Sequence, residues 1–140
     1  MIDKNRINSK IIFIQERLTA LRELARLKED EFKQDKRNIA SACYWLQTAV
    51  EAMIDIAQHI AVKERLIKST DTSSTDFFEE LAAAGIISEG NMRKYRMMIK
   101  FRNRVVQQVS EDEVINILKE DLKDFDAFLK EIVEFIEKEG

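Results

Sequence analysis

No proline interrupts this 140-residue chain, and it holds only three glycines. Proline removes a backbone donor and breaks helices, while glycine supplies the left-handed conformations of tight turns. A chain almost without either has few ways to reverse sharply, which leaves long helices joined by polar connectors. An all-α fold is therefore expected. At this length a single domain, residues 1–140, buries roughly 68% of its unfolded surface, enough for a core without disulfide or metal.

Apolar periodicity divides the chain into helices. Ile7, Ile11, Ile14, Leu18, Leu21 and Ala25 recur at alternating spacings of four and three, so a first helix runs from about Asp3 to Leu27. A polar stretch from Lys28 to Lys36 allows a turn, although without glycine or proline it can stay partly helical. A second helix, from about Asn38 to Leu66, carries Ile39, Cys43, Leu46, Val50, Ile54, Ala57 and Ala61 on one side. Ser69 to Thr75 is the clearest loop, since short hydroxyl side chains compete for backbone hydrogen bonds. Asp76, with Glu79 three residues on, caps a short helix that stops at Gly85. Ser88 caps a fourth helix reaching about Val109. Ser110 to Glu113 opens a fifth, with Val114, Leu118, Leu122, Phe125, Leu129, Ile132 and Ile136 along one seam. Four long helices and one short helix make an up-and-down four-helix bundle.

The lone cysteine, Cys43, lies between Ala42 and Tyr44 and reads as a packed thiol in a reducing, cytoplasmic setting. The apolar run Ile11 to Ile14 is too short for a signal peptide or a membrane span. A formal charge of -3 conceals an asymmetry. From Ser88 to Val109 six basic residues stand against Glu89 alone, and from Ser110 onward eleven acids stand against four lysines. Such blocks mark either a polyanion-binding helix or two oppositely charged helices packed together, and composition favours packing.

One residue breaks the pattern. On a helical wheel Met92, Tyr95, Met98, Ile99, Val105, Val106 and Val109 form an apolar arc, with Arg102 in its middle. A guanidinium there needs a carboxylate, an interface, an anion in a cleft, or an apolar stem that lets its head reach water.

The residues from Phe101 to Val109, Phe-Arg-Asn-Arg-Val-Val-Gln-Gln-Val, resemble the HepT-like branch of the HEPN superfamily. In that pattern an Arg-Asn pair is followed by three residues, a histidine, one more residue and a tyrosine. Leu46 to Asp55 resembles the family's second helix, and Phe78 to Ile86 its short helix ending in Ala-Gly, so the likeness covers about residues 38 to 125. The resemblance implies a HEPN-type bundle that forms a homodimer, with the arginine motifs of two subunits meeting in a cleft. It also implies a metal-independent ribonuclease toxin, acting on RNA without a cofactor and neutralised by a nucleotidyltransferase-type antitoxin.

Carried onto this chain, the resemblance gives Arg102 the phosphate-binding role and Asn103 the adjoining polar role. Gln107 stands at the histidine position. Its amide hydrogen-bonds but does not titrate near neutrality, so it cannot act as general acid or base. Val109 stands where the family's tyrosine accepts a nucleotide from the antitoxin, and valine has no hydroxyl. These departures set a weakened or inactive RNA endonuclease against a non-catalytic nucleotide- or RNA-binding homodimer partnering a nucleotidyltransferase, and against a purely structural dimer.

Two further constellations follow from helical geometry. Arg93, Arg96 and Lys100 share a polar face with Asn103, Arg104 and Gln107, a stripe able to track an RNA backbone, with Tyr95 to one side. Glu51, Asp55 and His59 recur four apart on one ridge. The outer two are about 12 Å apart along the axis, too far for one helix to present all three to a metal. Glu51 or Asp55 is expected instead to pair with Arg102 or Arg104 and orient it, the alternative being an Asp55–His59 surface contact.

Overall fold

The computed structural model describes residues 2–66, 74–105 and 109–139. In these the chain forms seven helices: α1 (Lys4–Ala25), α2 (Glu29–Gln34), α3 (Lys36–Lys63), α4 (Ser74–Ala83), α5 (Glu89–Val105), α6 (Glu111–Glu120) and α7 (Leu122–Glu139). The long helices close a ring in the order α1, α3, α5, α7, each packed on the next and α7 returning to α1. This is the all-α four-helix bundle that the periodicity predicts.

The extra helical segments differ from the expectation of a single short one. The polar connector folds into α2, where Lys28 N–H donates to Glu31 Oε1 at 3.1 Å and Phe32 is buried at 3% exposure, so one aromatic ring pins the turn to the core. Asp35 then accepts from Arg37 N–H at 2.9 Å and caps α3, which starts at Lys36, two residues earlier than Asn38. The long C-terminal helix is interrupted at Asp121, which separates α6 from α7. The apolar seam crosses the break unchanged, because Val114, Leu118, Leu122, Phe125, Leu129 and Ile132 are all buried.

Most of the expected loop from Ser69 to Thr75 lies outside the described residues. Its end differs from expectation: α4 begins at Ser74, so Asp76 lies in the helix's first turn, where its charge complements the helix dipole, rather than ahead of it as the cap. The end of α4 is as predicted. Gly85 has φ of +77°, its N–H donates to Ala82 C=O at 3.0 Å, and Ile86 N–H reaches back to Leu81 C=O at 2.9 Å. The same two bonds close α3, but there Arg65 holds the left-handed position at φ of 59°.

α3 is the central helix. Of its expected seam Leu46, Val50, Ile54, Ala57 and Ala61 are buried and Ile39 and Cys43 only partly so, while Ala42, Ala49, Met53, Ile56 and Ile60 beside it are buried as well. The small side chains let α1, α2, α4, α5 and α6 all approach it. No helix among the described residues is long and apolar enough to cross a membrane.

Candidate functional site

The arginine motif lies at the end of α5. That helix begins at Ser88, whose Oγ accepts from Asn91 N–H at 3.1 Å, as the sequence predicts. Glu131 of α7 reinforces the start by accepting from Ser88 N–H at 2.6 Å, from Asn91 Nδ2 at 3.3 Å and from the Tyr95 hydroxyl. The Tyr95 ring is fully buried and packs edge-on against Phe128, with centroids 5.3 Å apart. Burial first, and then the Glu131 hydrogen bond, push its phenol far above the ordinary range. Tyr95 therefore cannot stack on a base as an aromatic beside the basic stripe.

The buried residues of α5 are Tyr95, Met98, Ile99 and Phe101. Phe101 belongs to this face although it is absent from the arc read on the wheel, and Arg102 sits at the margin of the apolar face, partly buried. Its guanidinium forks onto one acceptor: Nε and an Nη donate to Asn103 Oδ1 at 3.3 and 2.8 Å. Among the described residues Arg102 makes no ion pair, so its charge is not offset by a carboxylate. Residues 106–108, and with them Gln107, lie outside the described residues. Val109 is partly buried against the core.

The predicted charge partners go elsewhere. Asp55 takes Lys10 Nζ of α1 at 3.1 Å, and Glu51 accepts from Gln47 Nε2 at 3.3 Å on its own helix. His59 does not meet Asp55. Its Nε2 accepts from Asp3 N–H at 3.1 Å, which ties the start of α1 to α3. Burial, then the nearby Arg6 and Lys63, lower its pKa and favour the neutral ring that this contact requires. The ridge thus braces α1 and does not orient Arg102. Arg104 pairs instead with Glu113, in the first turn of α6, at 2.6 Å.

The basic stripe divides in the same way. Arg96 turns toward α4 and pairs with Glu79 at 3.1 Å, with its Nε buried and unpartnered. Arg93 and Lys100 remain exposed, Arg93 holding only a 4.0 Å contact to Glu89. The acidic C-terminal segment does not blanket α5 either. Asp112 pairs with Lys33 and Asp126 with Arg22, which leaves Arg104–Glu113 as the one ion pair, among the described residues, between the two charge blocks.

A feature the sequence reading misses lies beside the motif. A cleft of about 310 Å³ opens between α3, α5 and the α6–α7 junction, with Met97, Phe101 and Arg104 on one wall and Asp121 and Asp124 on another. Its surroundings hold Asp121 above the usual carboxylate range, through burial first and then repulsion from Asp124 and Glu120.

A helical bundle that carries an Arg-Asn pair at the end of one long helix, beside a mixed polar and apolar cleft, belongs to the HEPN class of all-α domains. The model of the ribonuclease HepT-like family matches residues 14–132, most of the chain. This chain belongs to the HepT-like ribonuclease family. The mRNA nuclease HepT of Shewanella oneidensis is 33% identical over 102 residues, covering 71% of this chain and 75% of the relative. A solved structure of a tri-AMPylated HEPN toxin from the same organism, in complex with its MNT antitoxin, superposes with a TM-score of 0.85 at 30% identity over 96% of this chain and 99% of that one. The cytosolic protein YutE of Bacillus subtilis, of unknown function, shares the fold at 16% identity, with a TM-score of 0.83 over 99% of this chain and 93% of that one.

Proposed function

We propose that this chain is the toxin-type RNA endonuclease subunit of a toxin–antitoxin pair, with cleavage weakened or lost because Gln107 replaces the motif histidine. The observation that carries the reading is the Arg102–Asn103 pair. It keeps a cation at the end of α5 with no offsetting carboxylate among the described residues, the arrangement a phosphodiester oxygen needs. Family membership supports the substrate class, and the relatives named as an mRNA nuclease and as a toxin bound to its antitoxin support the biological setting. In this reading Arg102 binds phosphate, Asn103 fixes the guanidinium plane, and Arg93 and Lys100 add screened attraction for the RNA backbone. Gln107 can hydrogen-bond the ribose but moves no proton.

The partner is a nucleotidyltransferase-type antitoxin. With Val109 at the position where the resemblance puts a nucleotide-accepting tyrosine, that partner restrains this chain by binding and not by modifying residue 109. A second reading, a non-catalytic RNA- or nucleotide-binding homodimer, is favoured by the same glutamine. The exposed apolar side chains of Met97 (63%) and Tyr44 (57%) support association of two copies in either reading.

The test is incubation of the protein with mRNA and tRNA in metal-free buffer, beside Arg102→Ala and Gln107→His. Weak or absent cleavage by the parent and a gain in Gln107→His are expected, with RNA binding lost in Arg102→Ala. Robust cleavage by the parent, lost in Arg102→Ala, would overturn the weakened-nuclease reading, and its persistence in Arg102→Ala would also remove Arg102 from the site.

A further inference from the structure

The chain holds one histidine, and it sits where a proton is disruptive. His59 lies on α3 and is 9% exposed, and its Nε2 accepts from the backbone N–H of Asp3 at 3.1 Å. A main-chain amide can only donate, so this nitrogen carries a lone pair and the proton of the neutral ring sits on Nδ1. Asp3 is also the cap of α1. Its Oδ1 accepts from Arg6 N–H at 3.1 Å, and its carbonyl from Ile7 N–H at 3.2 Å. One residue therefore joins the first turn of α1 to α3, through a single acceptor that titrates.

Protonation reverses both halves of this contact. The imidazolium has no lone pair for the Asp3 N–H, and its charge draws the Asp3 carboxylate away from Arg6 N–H. The other charges near the ring are Arg6 on α1, Lys63 on α3 and the chain's amino terminus, all of which repel an imidazolium. Asp55, one turn back on α3, is already held by Lys10 of α1 at 3.1 Å. A charged ring is thus relieved only when the start of α1 moves away. The movement has a natural limit, because Asp3 to Arg6 are exposed whereas Ile7, Ile11 and Ile14 are buried.

We propose that His59 is a proton-operated clasp: neutral, it ties Asp3 and the first turn of α1 to α3, and protonated, it lets that turn fray while the bundle stays closed. The folded ring binds its proton less readily than a free imidazole, because of burial and then Arg6 and Lys63. The clasp therefore stabilises fully above the ordinary imidazole range and loses its hold as the pH falls below it.

As the chain's only histidine, His59 gives one imidazole signal, so NMR on the full chain can follow its titration and the exchange of individual amides from about pH 7.5 to about pH 5. Corrected for intrinsic exchange, protection at Asp3, Arg6 and Ile7 is expected to fall about tenfold as the imidazole titrates, with amides of α3 and α7 unchanged. His59→Gln puts an oxygen that does not titrate within reach of Asp3 N–H, and should hold this protection throughout. His59→Phe, close in size but without an acceptor, should exchange like the acid form at every pH. Glu64, held above the usual carboxylate range by burial and then by Glu139, stays in place in both variants. A pH dependence that survives in His59→Gln therefore belongs to such a carboxyl and overturns the proposal. So does protection that persists in the parent after the imidazole has titrated. Loss spread evenly over α1, α3 and α7 overturns it as well, since acid unfolding of the whole bundle then accounts for the change.

Discussion

The two ends of α5 are built on opposite principles. At the start Ser88, Asn91 and Tyr95 are matched: Ser88 caps the helix, Glu131 accepts three hydrogen bonds, and Phe78, Tyr95 and Phe128 interlock behind them with centroids 5.3 to 6.0 Å apart. At the other end Arg102 is bonded to a neutral amide and Lys100 is exposed, with no carboxylate set against either among the described residues. The satisfied end fixes the position of the helix. The unsatisfied end keeps its charge available. A site for anions is easier to hold in place when the stability that positions it comes from another part of the same rigid element.

This contrast can be broken by mutation, and the largest effect should come from the aromatic anchor. Phe128→Ala removes a fully buried ring that touches both Phe78 and Tyr95, and should cost about 3–5 kcal/mol of unfolding free energy in urea titration. A loss under about 1 kcal/mol would show that the cluster does not anchor α5. Next in size is Glu131→Ala, which strands the Ser88 N–H and the Tyr95 hydroxyl and should cost about 2–3 kcal/mol by the same measurement. Gly85→Ala, just ahead of α5, meets no steric obstacle but forces a Cβ into φ of +77°, so a loss of about 1 kcal/mol is expected. The reciprocal change at the end of α3, Arg65→Gly, should be neutral or raise the melting temperature slightly, since it relieves the same strain at φ of 59°. Arg102→Ala should fall within about 0.5 kcal/mol of the parent in stability while abolishing RNA retention in a filter-binding assay. A strongly destabilised Arg102→Ala would mean that both ends of α5 are structural.

The legibility of the chain follows the same division. The seams of α1, α3 and α7 were readable because burial repeats with helical period, and the caps at Ser88, Ser110 and Gly85 were readable because a cap acts on backbone within three or four residues. The partners of Asp55, His59 and Arg96 were not. Each belongs to another helix or its cap, Lys10, Asp3 and Glu79 respectively, and helical phase alone says nothing about which neighbour a ridge will face. The interruption at Asp121 was hidden for a related reason, since the apolar seam runs through it without a change of period.

The sequence by itself determined the helical class, the register of each buried face and the Arg102–Asn103 motif, because all three depend on local periodicity and on residue chemistry at fixed short spacing. Only the tertiary structure decided which charges are spent on holding helices together and which stay free. It also decided that Asp124, one acid among eleven in the C-terminal segment, is the buried one lining a cleft. Ion pairing and desolvation depend on distances between helices far apart in the chain, and those distances exist only once the bundle has closed.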